Sequence, residues 1–536
     1  MNWSWRKLFL AGRQTLRATL KDRVLLFAVV LGLAARIVFW VVTQRIWEDA
    51  LITVWQARNA ATGIGLTPNP AEGHIQGFTS VLSVIIPLVS ELIKAGSGIL
   101  SLRVATLLAF VVAVWCVNEI CKDLGMGVWG RLFALAFVAF EENQVFYGMA
   151  GMETEVAVAV LLAGVLTVSR WQYKRSGVLL GLALLARPDF ILWTIPALAA
   201  LFRHNRKKAW PALGLTSLVI APWIAFATWY YGSPIPHTIA AKAAAYVNPP
   251  TLSLANLGPI VHWGLAGMAT DLLSVWHYLT PFLANSAETG APFPFWFLAI
   301  IGLAISALAL VGMFRVARLT RWQPLLAYLL LFLVYRGLFL PTDYYDWYIV
   351  PFAAGVAILA GIGLEQLRFV QSRLPLVFAV LLGSAISCNL AFTIPLNAVV
   401  QQQVEDRVRV PLGEYLAKVV KGSDAVFTES SGYVGYYSGA TLWDYPGLIS
   451  KVSAQALASI PPSQRGYPDV LGLMIEELHP HWLVLRQDEI TAIGRTSPQA
   501  LLGYSYLKHC EVNVPIDIGG LSWTNVDEKF WVMYKP

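Results

Sequence analysis

Residues 24–43 read VLLFAVVLGLAARIVFWVVT, and after the link QRIW residues 48–61 read EDALITVWQARNAA. The first run carries a single charge and is long enough to cross the hydrocarbon core of a bilayer as one helix. The second opens on two adjacent carboxylates, Glu48 and Asp49. It then mixes apolar Leu51, Ile52, Val54 and Trp55 with polar Gln56, Arg58 and Asn59, as a short helix lying on a membrane would. A spanning helix that delivers a pair of acids to the membrane boundary is the unit from which the rest of the chain is read.

Similar apolar runs recur at 100–121, 131–148, 152–170, 209–230, 293–314, 322–341, 347–367 and 374–395. A further stretch, 176–203, is interrupted by Arg187-Pro188-Asp189 and has basic clusters at both ends. It must enter and return on the same side, as two half-length helices with the proline break at the outer tip. Residues 79–96 are apolar but carry Pro87, Glu91 and Lys94. If they crossed, every later basic cluster would lie opposite the basic N-terminus. Read as a juxtamembrane or re-entrant helix, they keep the clusters together. The expected fold is a polytopic all-α membrane protein over residues 1–395, with about eleven crossings, two of them short, and juxtamembrane helices in the first outer loop. A C-terminal extracytoplasmic α/β domain, 396–536, follows.

Composition supports this. Of the 536 residues 57% are hydrophobic and only 13% charged, with a mean hydropathy of +0.59; a soluble chain has about 25% charged residues. An ordinary soluble enzyme, a disordered chain and a fibrous one are excluded. The net charge of +7 hides a division: residues 396–536 hold 11 Lys and Arg against 15 Asp and Glu, a net of −4, which leaves +11 on residues 1–395. That excess falls in clusters between the apolar runs, such as Arg170/Lys174/Arg175, Arg203/Arg206/Lys207/Lys208 and Arg315/Arg318/Arg321. The bias is that of cytoplasmic loops rather than of a nucleic-acid surface, which would gather on one soluble face. The N-terminus is expected in the cytoplasm and the C-terminal domain outside. The first span is too long for a signal peptide and lacks a cleavage site. Thirteen of the 17 acids in residues 1–395 fall at or near the outer side. Acids at an apolar boundary are costly unless used or paired, so they point to a chemical site at the outer leaflet. The four cysteines, Cys116, Cys121, Cys388 and Cys510, form no metal or disulfide pattern.

Adjacent carboxylates at Glu48 and Asp49 suit a general base beside a second acid that raises its pKa or holds a cation. The alternative is that Asp49 caps a helix. Lys242 is the one Lys or Arg in the outer loop 231–292. It can hold a phosphate or reach for lipid headgroups. His237 and His262 lack metal-ligand spacing. The third loop, Asp343-Tyr344-Tyr345-Asp346-Trp347-Tyr348, sets two acids in an aromatic belt. In the C-terminal region DAVFTES (424–430) and HWLVLRQ (481–487) read as strands, with turns at Gly432, Gly435, Gly439 and Gly447. No phosphate-binding or nucleophile motif occurs there, so this domain is expected to shape or cover the site.

The segments EDALITVWQARNAATGIGLTPNP, GHIQGFTS, GMETE, ARPDF and YYGSPIPHTIAAK occur in that order between residues 47 and about 350. They resemble, in the same order, motifs of the GT-C superfamily of polyprenyl-phosphate-sugar glycosyltransferases. The resemblance is closer to the branch holding the mycobacterial terminal β-1,2-arabinofuranosyltransferase and related bacterial envelope and pilin glycosyltransferases. Glu48 stands where that branch commonly has Asp, and Gln76-Gly77-Phe78 where it reads Glu-Gly-Tyr, which removes a carboxylate.

The resemblance implies an enzyme of the bacterial cytoplasmic membrane. It would move a sugar, by this likeness arabinofuranose, from a polyprenyl-phosphate donor to an extracytoplasmic glycan, lipid or protein acceptor. Asp49 would be the general base and Glu48 its partner. Lys242, Arg58 and Arg187 would receive the donor phosphate. Glu153, His237, Asp343 and Asp346 would contact sugar or acceptor hydroxyls. The reaction would be an inverting single displacement. No cofactor is required; a divalent cation (Mg, Mn or Ca) could sit between Glu48 or Asp49 and the phosphate, but no ligand spacing demands one. A secondary transporter is the competing reading, because broken helices around charges are a transporter trait; a non-catalytic scaffold is a weaker one. Against a transporter, the acids gather at the outer boundary rather than the midplane.

Overall fold

The computed structural model describes residues 22–246, 295–339, 346–422, 424–512, 516–518, 521–523 and 526–536. Helices occupy the expected crossing positions: Arg23–Thr43, Gly98–Asp123, Val128–Phe140, Thr154–Ser169, Tyr173–Ala186, Ile191–His204, Arg206–Tyr231, Phe295–Ala317, Gln323–Phe339, Ile349–Gln366 and Leu374–Val399. Among the described residues six stretches are long and apolar enough to cross a membrane alone. The protein is thus a polytopic helical membrane protein with a small C-terminal sheet domain.

Local chemistry explains the interruptions. The break in 176–203 is real: Arg187 is extended at φ −155°, ψ 123°, and the turn Pro188–Phe190 follows it. Helix Leu82–Ile93 has 12 residues, about 18 Å of rise and too short to cross. One run departs from expectation. Residues 131–148 are two helices, not one, because Glu141 is extended and its carboxylate accepts the N–H groups of Asn143 and Gln144, capping Glu142–Met149. A carboxylate at an N-cap ends one helix and starts another.

Helix Ile349–Gln366 is the axis of the bundle, and every residue from Ile349 to Glu365 is buried. A helix apolar all round belongs in an interior. Its neighbour Phe295–Ala317 lies in backbone contact with it: a Cβ on Gly312 would overlap the Leu359 carbonyl, and one on Gly363 the Leu308 carbonyl. With lipid as the solvent, such close approach supplies the packing that hydrophobicity cannot. Gly363→Val should therefore destabilise the bundle by at least the ~1–3 kcal/mol of a crowded core, read as a lowered Tm in detergent; an unchanged Tm would contradict this packing. The charge of the first span is internal as well. Arg36 pairs with Glu155 at 2.8 Å, donates to the Val138 and Ala139 carbonyls and lies over the Phe110 ring.

Leu374–Val399 continues through a π-helical stretch, Val400–Arg409, into Val410–Val419. The bundle and the C-terminal domain are therefore joined by one continuous helical stem that passes position 395 unbroken. The C-terminal domain has a five-stranded sheet of β1 Ala425–Thr428, β2 Thr441–Asp444, β3 Trp482–Arg486, β4 Ser505–Glu511 and β5 Lys529–Tyr534, in the order β2-β1-β3-β5-β4. The two strands read from sequence, β1 and β3, are parallel neighbours at the centre and are buried throughout, as continuous apolar strands covered on both faces should be.

Candidate functional site

Asp49 is the second residue of helix Glu48–Ala61. The N-cap is Trp47, with no side-chain cap bond, so Asp49 does not cap the helix. Its side chain instead lines a cavity of about 60 Å³ at the end of the bundle next to the C-terminal domain, shared with Glu153, Arg187, Asp189, Lys242 and Tyr348. Separate elements bring these groups together. Glu153 precedes helix Thr154–Ser169, and Arg187 and Asp189 come from the proline break. Lys242 comes from helix His237–Tyr246, and Tyr348 from the turn Asp346–Tyr348. Ser80 and the hydrogen-bonded pair Thr79 and Thr238 (2.9 Å) add hydroxyls to the wall.

The charges are held, not loose. Arg187 Nε donates to Asp189 Oδ1 at 3.0 Å, and Nη1 to the Trp347 carbonyl at 3.1 Å. Its guanidinium lies 4.0 Å over the Tyr348 ring. Asp189 Oδ2 is buried and makes no hydrogen bond among the described residues. Lys242 Nζ sits 5.5 Å from the Tyr348 ring centre and 5.9 Å from that of Trp347. Burial pulls the Lys242 ammonium down to about 8, opposed by the negative charge of Asp49. Burial likewise raises the Asp49 carboxyl above its usual range, opposed by Lys242 and reinforced by Glu429. Glu153 is also raised, by burial first, with Arg187 opposing. A carboxylate of raised basicity thus faces two fixed cations in a poorly hydrated pocket. That arrangement can take a proton at one end and receive negative charge at the other.

The structure brings Asp49, Glu153, Arg187 and Lys242 together and turns other candidates away. Glu48 does not stand beside Asp49, because consecutive residues on a helix do not face each other. Its carboxylate instead pairs with Arg409 of the stem and accepts from Ser430 Oγ (3.1 Å) and the Gly432 N–H (3.0 Å). Arg58 donates to the Tyr436 carbonyl at 2.7 Å and stacks on the Tyr436 ring. His237 Nε2 is 3.0 Å from the Gly447 carbonyl and 3.4 Å from that of Ser450, so it must carry the proton. Burial pushes its pKa down, keeping the ring neutral. All three hold the outer domain in place. Asp346 opens the turn Asp346–Tyr348; Asp343 and His262 lie outside the described residues.

Other outer acids are structural too. Glu72 accepts from Ser450 Oγ and from the N–H groups of Lys451 and Val452, at the start of helix Lys451–Ser459. Glu91 accepts from the Gly96 and Gly98 N–H groups. Sequence reasoning missed Asp189, Tyr348 and Leu448, the last a wall residue contributed by the outer domain. Asp189 was visible as the partner two residues after Arg187; Leu448 left no local signal. Among the described residues no three acids, histidines or cysteines converge as a metal site. Both Glu48 oxygens are engaged by Arg409, Ser430 and Gly432, so of the two acids named for a cation at the donor phosphate only Asp49 lines the cavity.

Comparison with known proteins agrees at the level of fold. A family model described as a domain of unknown function (DUF8728) matches residues 397–528, within the outer domain. No curated protein sequence matches. Among solved structures, ArnT from Cupriavidus metallidurans bound to undecaprenyl phosphate superposes with a TM-score of 0.51 at 11% identity, covering 95% of this chain and 97% of that one. Its apo form gives 0.53 at 10%, with the same coverage. The Archaeoglobus fulgidus oligosaccharyltransferase, in complex with Zn and sulfate, gives 0.52 at 14%, covering 90% of this chain and 71% of that one. The chain therefore shares the fold of these solved structures, a multi-pass helical bundle that carries a further domain.

Proposed function

We propose that the protein is a membrane glycosyltransferase that moves a sugar from a polyprenyl-phosphate donor to an extracytoplasmic glycan, lipid or protein acceptor. The observation that carries this reading is that Asp49, Lys242 and Arg187 line one cavity at the end of the helical bundle next to the C-terminal domain. Asp49 takes the proton of the acceptor hydroxyl as that oxygen attacks the anomeric carbon. The bond to the donor phosphate breaks on the opposite face, and Lys242 and Arg187 receive the phosphate's charge. The result is inversion in a single displacement. Glu153 and the unused Asp189 oxygen are acceptors for sugar hydroxyls. Glu48 anchors the helix that carries the base, and no step is routed through a metal. Arabinofuranose is favoured as the sugar by the ordered sequence motifs alone, and the basic loops favour the bacterial cytoplasmic membrane with the outer domain outside. The transporter reading fits less well, because the charges cluster at one end of the bundle rather than at mid-membrane.

Two experiments test this. The mass of lipid co-purifying with the protein should match a polyprenyl-phosphate sugar, and a pentose rather than a hexose increment would support arabinose. Recovery of bulk phospholipid alone, with no transfer from added polyprenyl-phosphate sugar, would refute the reading. The pH profile of kcat/KM should be bell-shaped, because it reports groups of the free enzyme. Activity should fall as pH drops through the raised pKa of Asp49, which must be ionised to accept a proton. It should fall again as pH rises through about 8, where Lys242 loses its charge. In Lys242→Met the alkaline limb should disappear along with most of the donor affinity.

A further inference from the structure

We propose a second ligand site at the far end of the bundle: a cleft that takes the phosphate headgroup of an anionic membrane lipid. The cleft lies between the first turns of helices Tyr173–Ala186 and Arg206–Tyr231. Its volume is about 610 Å³, and it is lined by Gln172, Tyr173, Lys174, Arg175, Lys208 and Pro211. Helix Tyr173–Ala186 runs from this cleft to Arg187, roughly 21 Å away at 1.5 Å per residue, so the two sites are separate.

Three features select an anion. First, the lining holds three cations and no acid, and among the described residues none of the three forms an ion pair; Arg175 donates only to the Gln172 side chain. Neighbouring Arg170, by contrast, is neutralised by Glu119 and Asp123. Second, helix Tyr173–Ala186 begins at this cleft without a side-chain cap from Gln172, which leaves the positive end of its dipole uncapped there. Third, the wall is set in advance. Trp171 adopts φ +54° and stacks on His204 at 3.8 Å, and His204 Nδ1 lies 2.6 Å from the Tyr173 hydroxyl.

The flanks favour a lipid over a free phosphate. Just below the cleft the helices touch, Gly177 against the Ala212 backbone. This leaves room for a headgroup above but not between them. Val178 and Trp210 are 38% and 64% exposed on the adjoining surface, a place for an acyl chain and an interfacial ring. Basic pockets between membrane helices hold anionic headgroups on this logic.

The test is native mass spectrometry of the full chain in detergent with added phosphatidylglycerol or phosphatidylcholine. One phosphatidylglycerol should be retained about thirtyfold more strongly, the order that two of the three lining cations supply near an anionic lipid. Lys174→Ala/Lys208→Ala should abolish that preference at unchanged Tm. Arg206→Ala/Lys207→Ala, drawn from the same basic stretch but outside the lining, should keep it. Equal retention of the two lipids, or equal loss in both double variants, would overturn the proposal in favour of diffuse surface charge. Displacement of phosphatidylglycerol by millimolar inorganic phosphate would overturn it in favour of a free-phosphate site.

Discussion

Asp49→Asn is expected to lower kcat for sugar transfer by about 10²–10⁴-fold, the contribution of a placed general base, with little change in donor KM. Asparagine fills the same space and keeps hydrogen bonding, but it cannot take a proton. Folding should not confound the result. The folded-state pKa of Asp49 is raised, so its ionised form costs stability at neutral pH, and removing that charge should leave Tm unchanged or slightly higher. Co-purified donor lipid should survive the substitution, because Lys242 and Arg187 remain. Glu48→Gln supplies the contrast: its carboxylate faces Arg409, Ser430 and Gly432, so it should lower Tm more than kcat. Near-normal turnover in Asp49→Asn would remove Asp49 as the base, and equal kcat losses in both variants would restore the carboxylate pair as the reacting unit.

That contrast also marks what could be read from sequence. Apolar length and the proline at position 188 located the crossings and the broken helix, because a bilayer leaves the backbone few choices. The Glu141 break was hidden, since an acid that caps a helix looks like any other acid in an apolar run until the two N–H groups it accepts are placed. Scarcity of charge pointed to Asp49, Glu153, Arg187 and Lys242, which the fold gathers round one cavity. The same scarcity gave no way to separate them from Glu48, Arg58 and His237. The partners of those three lie more than 200 residues along the chain, in the stem and the outer domain. A charge shows its presence locally, but its use depends on what folds against it.

Arg409→Ala should be among the most damaging single changes outside the cavity, costing about 3–5 kcal/mol, the loss that follows when one partner of a buried charge cluster is removed. Arg409 is nearly fully buried and pairs with Glu48 and with Glu405 at 2.9 Å, while its Nη2 donates to Ser430 Oγ at 2.7 Å. Glu405 in turn pairs with Arg45 at 2.6 Å. Asp527, 3.5 Å from Arg409, pairs with Arg486 at 2.6 Å. The cluster therefore ties the first outer loop, the stem and the sheet together, and Glu48 is the link adjacent to the base. Without Arg409 the half-buried Glu48 loses its cation, Glu405 keeps only Arg45 and Asp527 only Arg486, and the helix carrying Asp49 loses its anchor to the C-terminal domain. Tm should fall by several degrees, and protease should reach the outer domain faster. Transfer should fall through kcat, since the donor cations are untouched. Arg409→Lys keeps the charge but not the forked geometry and should recover part of both losses. In Glu48→Gln/Arg409→Gln the combined stability loss should be smaller than the sum of the single losses by about 0.5–3 kcal/mol. Strict additivity would mean that the two groups do not share one interaction, and that the outer domain is held to the base-bearing helix by its apolar contacts alone.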